Sequence, residues 1–148
     1  MNTSTPPGEQ VTQIKRTSTP GQERAKLGKA IVITIREFMR QEKPDGNTHD
    51  MVAFIIGALK HIAKGIDQSV AAWEKRGYWV KADKYRLEWA WTGAIAEEIK
   101  QGFNIRDWDK IAQLLLEVMG HFDSVKVSDK HRMGKPWKNA YQEYQKLG

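Results

Sequence analysis

A chain of 148 residues is long enough for one domain with its own core, and the absence of cysteine excludes disulfide staples, zinc–thiolate sites and cysteine nucleophiles. Its formal charge of +6 sits at the two ends: residues 1–30 carry five basic and two acidic groups, residues 126–148 carry six basic and two acidic ones, and the stretch between is close to neutral. An excess of this kind attracts acidic partners such as RNA, DNA or acidic proteins, but it is also what an ordinary alkaline surface looks like.

The beginning of the chain, MNTSTPPGEQ, has no apolar run of the signal-peptide kind. No apolar run approaches the roughly 20 residues needed to span a bilayer. The expectation is a cytoplasmic protein with no membrane partner.

Residues 1–18 are rich in Thr, Ser, Pro, Gly and Gln and read as a disordered basic tail ahead of a helical domain over 19–148. The tetrapeptide TSTP occurs at Thr3–Pro6 and again at Thr17–Pro20. In the second copy, Thr19 suits a helix cap, Pro20 the first helical position and Gln22 the return partner of a capping box.

Helix one is expected from Pro20 to about Glu42, with Leu27, Ile31, Ile35, Phe38 and Met39 at helical spacing. Its weak point is IVITI, whose β-branched side chains favour a strand locally. The strong helix formers on either side decide for helix, and KPDGNT stops it.

Helix two is expected from Asn47 or Thr48 to about Arg76. Val52, Ile55, Ile56, Leu59, Ile62, Ala63, Ile66, Val70 and Trp73 share one face, the clearest amphipathic pattern in the chain. Gly57 and Gly65 fall on its outer side, as surface glycines or as room for another helix. Gly77 ends or kinks it.

Helix three is expected from Tyr78 to Gln101 with Gly102 as its stop. It lies largely within GYWVKADKYRLEWAW, which interleaves aromatic rings with Lys81, Lys84 and Arg86. At about 100° per residue, Tyr78, Ala82, Tyr85, Trp89 and Ala96 form one stripe, and Val80, Leu87, Trp91, Ala94 and Ile95 form a second, roughly opposite. Charges fill the flanks; Lys84 has Glu88 four residues on and Arg86 has Asp83 three residues back, spacings at which helical pairs form. Two apolar faces imply two neighbours, either within the fold or including another polypeptide. Stacking of unpaired bases would instead need rings and cations on one open surface, and the wheel separates them.

Helix four is expected from a cap at Asn104 to His121, with Asp107 and Asp109 near its positive end. A basic loop follows, and a short helix from Pro136 presents Trp137, Tyr141 and Tyr144. With no period-2 segment anywhere, the fold expected is all-α, a helical bundle of four to five helices.

Chemistry-bearing patterns are sparse. The His49–Asp50 dipeptide resembles the metal pair of helical phosphohydrolases, over those two residues alone, and what it implies is a metal-dependent hydrolase. His61 and His121 point away from the apolar faces, and His131 lies in the basic loop. No Glu-x-x-His, Walker loop, G-x-G-x-x-G or G-x-S-x-G is present. No catalytic residue, metal ligand or cofactor is assigned.

The leading expectation is a non-enzymatic interaction module, an adaptor or small subunit, binding another protein or a second copy of itself through Tyr78, Tyr85, Trp89, Trp91, Trp137, Tyr141 and Tyr144. Trp and Tyr are the residue types that dominate contact hot spots. The alternative is an accessory RNA- or DNA-binding subunit, with Lys126, Lys130, Arg132, Lys135 and Lys138 contacting phosphates. Lys15, Arg16, Arg24, Lys26 and Lys29 join them if the two ends meet.

Overall fold

The computed structural model describes residues 19–147, and the tail expected over 1–18 lies outside them. The described residues form five helices and no strand: α1 (Pro20–Met39), α2 (Gly46–Lys75), α3 (Trp79–Asn104), α4 (Trp108–His121) and α5 (Ala140–Lys146). The all-α bundle read from the sequence is the observed fold. No helix among the described residues is long and apolar enough to cross a membrane.

The long α2 is the axis of the bundle. α1, α3 and α5 all pack on it, while α4 packs on α3 and meets α1. Its fully buried Met51, Val52, Ile55, Leu59 and Ile62 join Ile31 and Ile35 of α1, Ile99 and Phe103 of α3, and Ile111 and Leu115 of α4 in one core.

The caps explain where the helices begin. Thr19 accepts the Gln22 N–H at 3.1 Å while the Gln22 side chain accepts the Thr19 N–H at 3.0 Å, the capping box read from the sequence. IVITI is helical because it is surrounded: Ile31 to Ile35 are all buried, and Thr34 returns its hydroxyl to Ala30 O at 2.7 Å. Burial outweighs a β-branched preference that amounts to tenths of a kcal/mol per residue.

Several boundaries differ from expectation. α1 stops at Met39 rather than Glu42. α2 is capped by Asp45, whose carboxylate accepts the Thr48 N–H at 3.0 Å, so Thr48 is the box partner and not the start. α3 runs through Gly102 to Asn104. The glycine there permits a close approach: a Cβ on Gly102 would stand 3.4 Å from Ile111 Cγ1 of α4. The cap of α4 is Asp107, not Asn104, accepting the Lys110 N–H at 3.1 Å. The last helix begins at Ala140, because residues 136–139 form a turn that ends in Asn139 at φ 64°.

Candidate functional site

The stretch from Gly77 to Trp91 begins with a reversal. Gly77 at φ 81° closes α2 with two bonds, Tyr78 N–H to Trp73 O at 2.9 Å and Gly77 N–H to Glu74 O at 3.0 Å. This is the six-to-one and five-to-two pattern of a Schellman end. It turns the chain so that α3 runs back along α2.

The inner stripe of α3 faces the bundle. Ala82 and Ala96 are fully buried, and Tyr85 and Trp89 are half-buried. Tyr85 meets Trp73 edge-on at 4.8 Å. The Arg24 guanidinium from α1 lies 5.1 Å from the Tyr85 ring centre and 5.7 Å from that of Trp89. Burial pushes the Tyr85 hydroxyl pKa above its ordinary value, with the nearby Arg24 charge opposing it. Trp89 Nε1–H finds no acceptor among the described residues, so that ring is held by its faces.

Two of the three cations of this stretch are also engaged. Lys81 Nζ sits 4.4 Å above the Trp73 ring. Arg86 bridges Glu74 at 2.6 Å and Asp83 at 2.5 Å. Tyr85 and Trp89 therefore do not lie bare in one open groove with Lys81 and Arg86, whereas Tyr78 and Trp79 are exposed beside Lys81 at the start of α3. The Lys84–Glu88 pair expected from spacing does not form within bridge distance.

The second stripe divides. Ile95 is buried, and Trp91 is half-buried under His121, the last residue of α4, and Phe122, its cap. Val80 and Leu87, by contrast, are 77% and 79% exposed, Trp79 beside them is 60% exposed, and Ala90 and Ala94 continue the exposed line. Tyr78 is exposed at the α2–α3 turn. Single exposed apolar side chains are ordinary; several along one side of one helix form a contact-sized strip. Covering a Val or a Leu fully is worth about 1.5–3 kcal/mol each.

The aromatic residues of the C-terminal segment have a different place. Trp137 is only 3% exposed and donates Nε1–H to Asn47 Oδ1 at 2.7 Å. It belongs to the core rather than to a surface, because the turn before α5 folds it inward. Tyr141 and Tyr144 are half-buried against Phe103, with ring centres 5.7 and 5.6 Å away. Burial raises the Tyr144 hydroxyl pKa, opposed by the Arg106 charge. The Tyr141 hydroxyl accepts from Arg106 Nη2 at 2.8 Å.

His49 and Asp50 serve the same end of the bundle. Asp50 Oδ1 accepts the backbone N–H of Tyr141 at 2.9 Å. The His49 ring packs 5.3 Å from both Trp108 and Tyr141, with Nδ1 2.6 Å from Asp45 O. A carbonyl only accepts, so Nδ1 carries the proton there. Among the described residues no group of three His, Asp or Glu side chains is placed to hold a metal ion.

Lys126, Lys130, Arg132, Lys135 and Lys138 are all exposed, and none makes a salt bridge among the described residues. Their loop lies along α1: Arg36 donates to Val127 O at 2.7 Å, and Asp129 stands 3.7 Å from Arg36 and 3.5 Å from Arg40. Arg24 is spent on Tyr85 and Trp89, and Lys15 and Arg16 lie outside the described residues. Sequence reasoning missed the contacts of His121, Arg24 and Arg106, since each joins residues distant along the chain. The exposed strip did have a signal, the seven-residue repeat of Val80, Leu87 and Ala94.

No protein-family model, curated protein or solved structure matches the chain.

Proposed function

We propose that the protein is a non-enzymatic helical interaction module that docks on another polypeptide through the outward side of α3. The observation that carries this reading is the exposure of Val80 and Leu87 on one side of a helix whose other side is built into the core. Leaving that strip in water forgoes stabilisation that a partner surface supplies. Tyr85, Trp89, Trp137, Tyr141 and Tyr144 shape and stiffen the scaffold, and the contact itself falls to Trp79, Val80, Leu87 and Ala94, with Tyr78 at the edge. A photo-reactive amino acid at Ala94, in the native cell, is expected to join a polypeptide, and Leu87→Glu is expected to abolish the product. The same probe at the exposed Lys60 of α2 is the control. If the Ala94 probe yields nothing beyond that control, the reading fails.

A second reading, accessory nucleic-acid binding, is favoured by five exposed cations of the loop that make no salt bridge among the described residues. It predicts RNA or DNA binding that weakens steeply with salt and is lost in the Lys130→Ala, Arg132→Ala, Lys135→Ala triple variant.

A further inference from the structure

Three segments far apart in the chain close on one cleft of about 280 Å³: the last turns of α1, the first turn of α2 and the loop over 129–137. The buried Ile33 and Trp137 supply its apolar lining. Arg36 and Arg40 reach it from one face of α1, and His131 and Lys135 reach it from the loop. The bond from Arg36 to Val127 O at 2.7 Å fastens that loop to α1.

The two acidic groups at the cleft, Glu37 and Asp129, are not equivalent. Glu37 lies 3.2 Å from Arg40, within hydrogen-bond range. Asp129 stands between the two guanidinium groups, 3.7 Å from Arg36 and 3.5 Å from Arg40, on a side chain that is 76% exposed. A charge-assisted N–H···O bond is about 2.7–2.9 Å long, so Asp129 approaches both arginines and satisfies neither. It marks the point where they converge on an oxyanion, and an exposed contact of this kind is weak enough to give way. Further donors remain. Met133 N–H donates to His131 Nδ1 at 3.2 Å, so the neutral ring carries its proton on Nε2. Asn47 Oδ1 takes the Trp137 N–H, which leaves the Asn47 amide N–H groups to donate. Lys135 makes no salt bridge among the described residues. With Asp129 swung out, three cations, Arg36, Arg40 and Lys135, face the single carboxylate of Glu37, an excess of two positive charges.

We infer that this cleft binds a phosphate group, as inorganic phosphate or as the end of a small phosphate monoester, which displaces Asp129 from between Arg36 and Arg40. A phosphate dianion matches the excess charge and brings at least three acceptor oxygens to donors that converge from three segments. A carboxylate ligand has one charge and two oxygens, which Asp129 already supplies. A backbone phosphate of RNA or DNA is a diester with one charge and two unesterified oxygens, a poorer match. The inference does not depend on the docking of α3.

The test is titration of the full chain with inorganic phosphate and, separately, with glycerol phosphate. It is run at pH about 8, where both are largely dianions, with ionic strength held constant by chloride. Side-chain NMR signals report binding, and circular dichroism melts verify folding. Saturable shifts at Arg36, Arg40 and His131 are expected with phosphate and not with chloride alone; the tighter of the two ligands tells whether the site takes the free ion or an ester. Arg40→Gln, at an exposed position, is expected to weaken binding by about tenfold or more. Asp129→Asn is expected to tighten it several-fold, because the internal competitor loses its charge. Asp123→Asn makes the same change of charge at an exposed residue outside the cleft and is expected to leave binding as it was. The inference is overturned if phosphate does not saturate, if chloride gives the same shifts, if Arg40→Gln binds as well as the wild type, or if the two Asp variants behave alike. An oligonucleotide whose binding is lost in the Lys130, Arg132 and Lys135 triple variant but kept in Arg40→Gln, with no saturation by phosphate, leaves the nucleic-acid reading standing and removes this one.

Discussion

The imidazole of His121 lies flat on the indole of Trp91, with ring centres 3.9 Å apart and planes 4° from parallel. Phe122 meets the same indole edge-on at 5.6 Å. The contact ties the end of α4 to the middle of α3 and covers a ring that would otherwise extend the apolar side of that helix. Aromatic contacts of this geometry contribute about 0.5–1.5 kcal/mol beyond the area they bury. His121→Ala is expected to destabilise the fold by an amount in that range, and His121→Phe, which keeps a flat ring, by much less. Urea unfolding midpoints separate the two; equal midpoints for all three proteins would show the stack to be incidental.

Arg106 occupies the left-handed region at φ 56°, at the position after the cap of α3 where a glycine is usual. Asp107 N–H reaches Gly102 O at 2.9 Å and Arg106 N–H reaches Phe103 O at 3.1 Å, the same pair of bonds that Gly77 makes at the end of α2. The backbone cost of a non-glycine residue there is about 1–2 kcal/mol. It is offset by the guanidinium, which donates to Phe103 O and to the Tyr141 hydroxyl and lies 4.4 Å from the Phe103 ring centre. Arg106→Ala loses those contacts and keeps the strain; Arg106→Gly loses the contacts and relieves it. The glycine variant is therefore expected to be the more stable of the two by about 1 kcal/mol, measurable as a difference in thermal or urea midpoints.

The same residue shows where sequence patterns stop informing. The face of α2 was legible because its apolar positions repeat at helical spacing over many turns, and no local alternative competes. The end of α3 was not, because Gly102 suits a stop as well as it suits a tight crossing with Ile111, and only the neighbour distinguishes them. Trp137 was expected on a contact surface with Tyr141 and Tyr144, on one side of a helix beginning at Pro136. It is buried because the turn before α5 folds it inward, where its N–H meets Asn47, ninety residues away. The two-sided pattern of α3 was visible, but the wheel has no means of telling that Trp91 is covered by the end of α4 and Ile95 is buried while Val80 and Leu87 go uncovered. Periodicity reports which faces are apolar; the identity of what covers them is a long-range property.

Gly57 and Gly65 lie within α2, and a Cβ built on either meets nothing within 4 Å. Glycine in a helix interior costs roughly 0.5–1 kcal/mol relative to alanine. Gly57→Ala and Gly65→Ala are each expected to stabilise the protein by about that amount. The sites are two turns apart with no shared contact, so the double variant is expected to gain nearly the sum. Unfolding free energies by denaturant titration check both points. A loss of stability at either site would mean that the outer strip of α2 is in contact with something outside the described residues.

Asp45 shows how acid should act on the start of α2. The Thr48 backbone N–H, first among several hydrogen bonds, holds its carboxyl pKa below the ordinary value, and nearby His49 adds to this. A depressed carboxylate favours the fold in its ionised form. Its contribution is thus complete above the ordinary carboxylate pKa and is lost as pH falls through the lowered one. Carboxyl carbon shifts are expected to give Asp45 a midpoint below that of an Asp in an unfolded peptide. Asp45→Asn retains a cap without the charge, so amide exchange in the first turn of α2 should lose its acid dependence in that variant.

The C-terminal segment is held to the start of α2 by two acceptors, Asn47 for the Trp137 N–H and Asp50 for the Tyr141 N–H. α5 is too short to be stable alone, since an isolated helix of under about 12 residues is marginal in water. Its order depends on these anchors and on the rings packed around Phe103. Asn47→Ala leaves the buried Trp137 N–H without its partner, at a cost of about 1–3 kcal/mol. Asn47→Asp keeps an acceptor and should lose little. Amide exchange in α5 is expected to accelerate in the alanine variant while the middle of α2 keeps its protection, because the core around Ile55 and Leu59 does not involve Asn47. Uniform acceleration across the whole chain would show that the segment is part of one cooperative unit and not a separately anchored one.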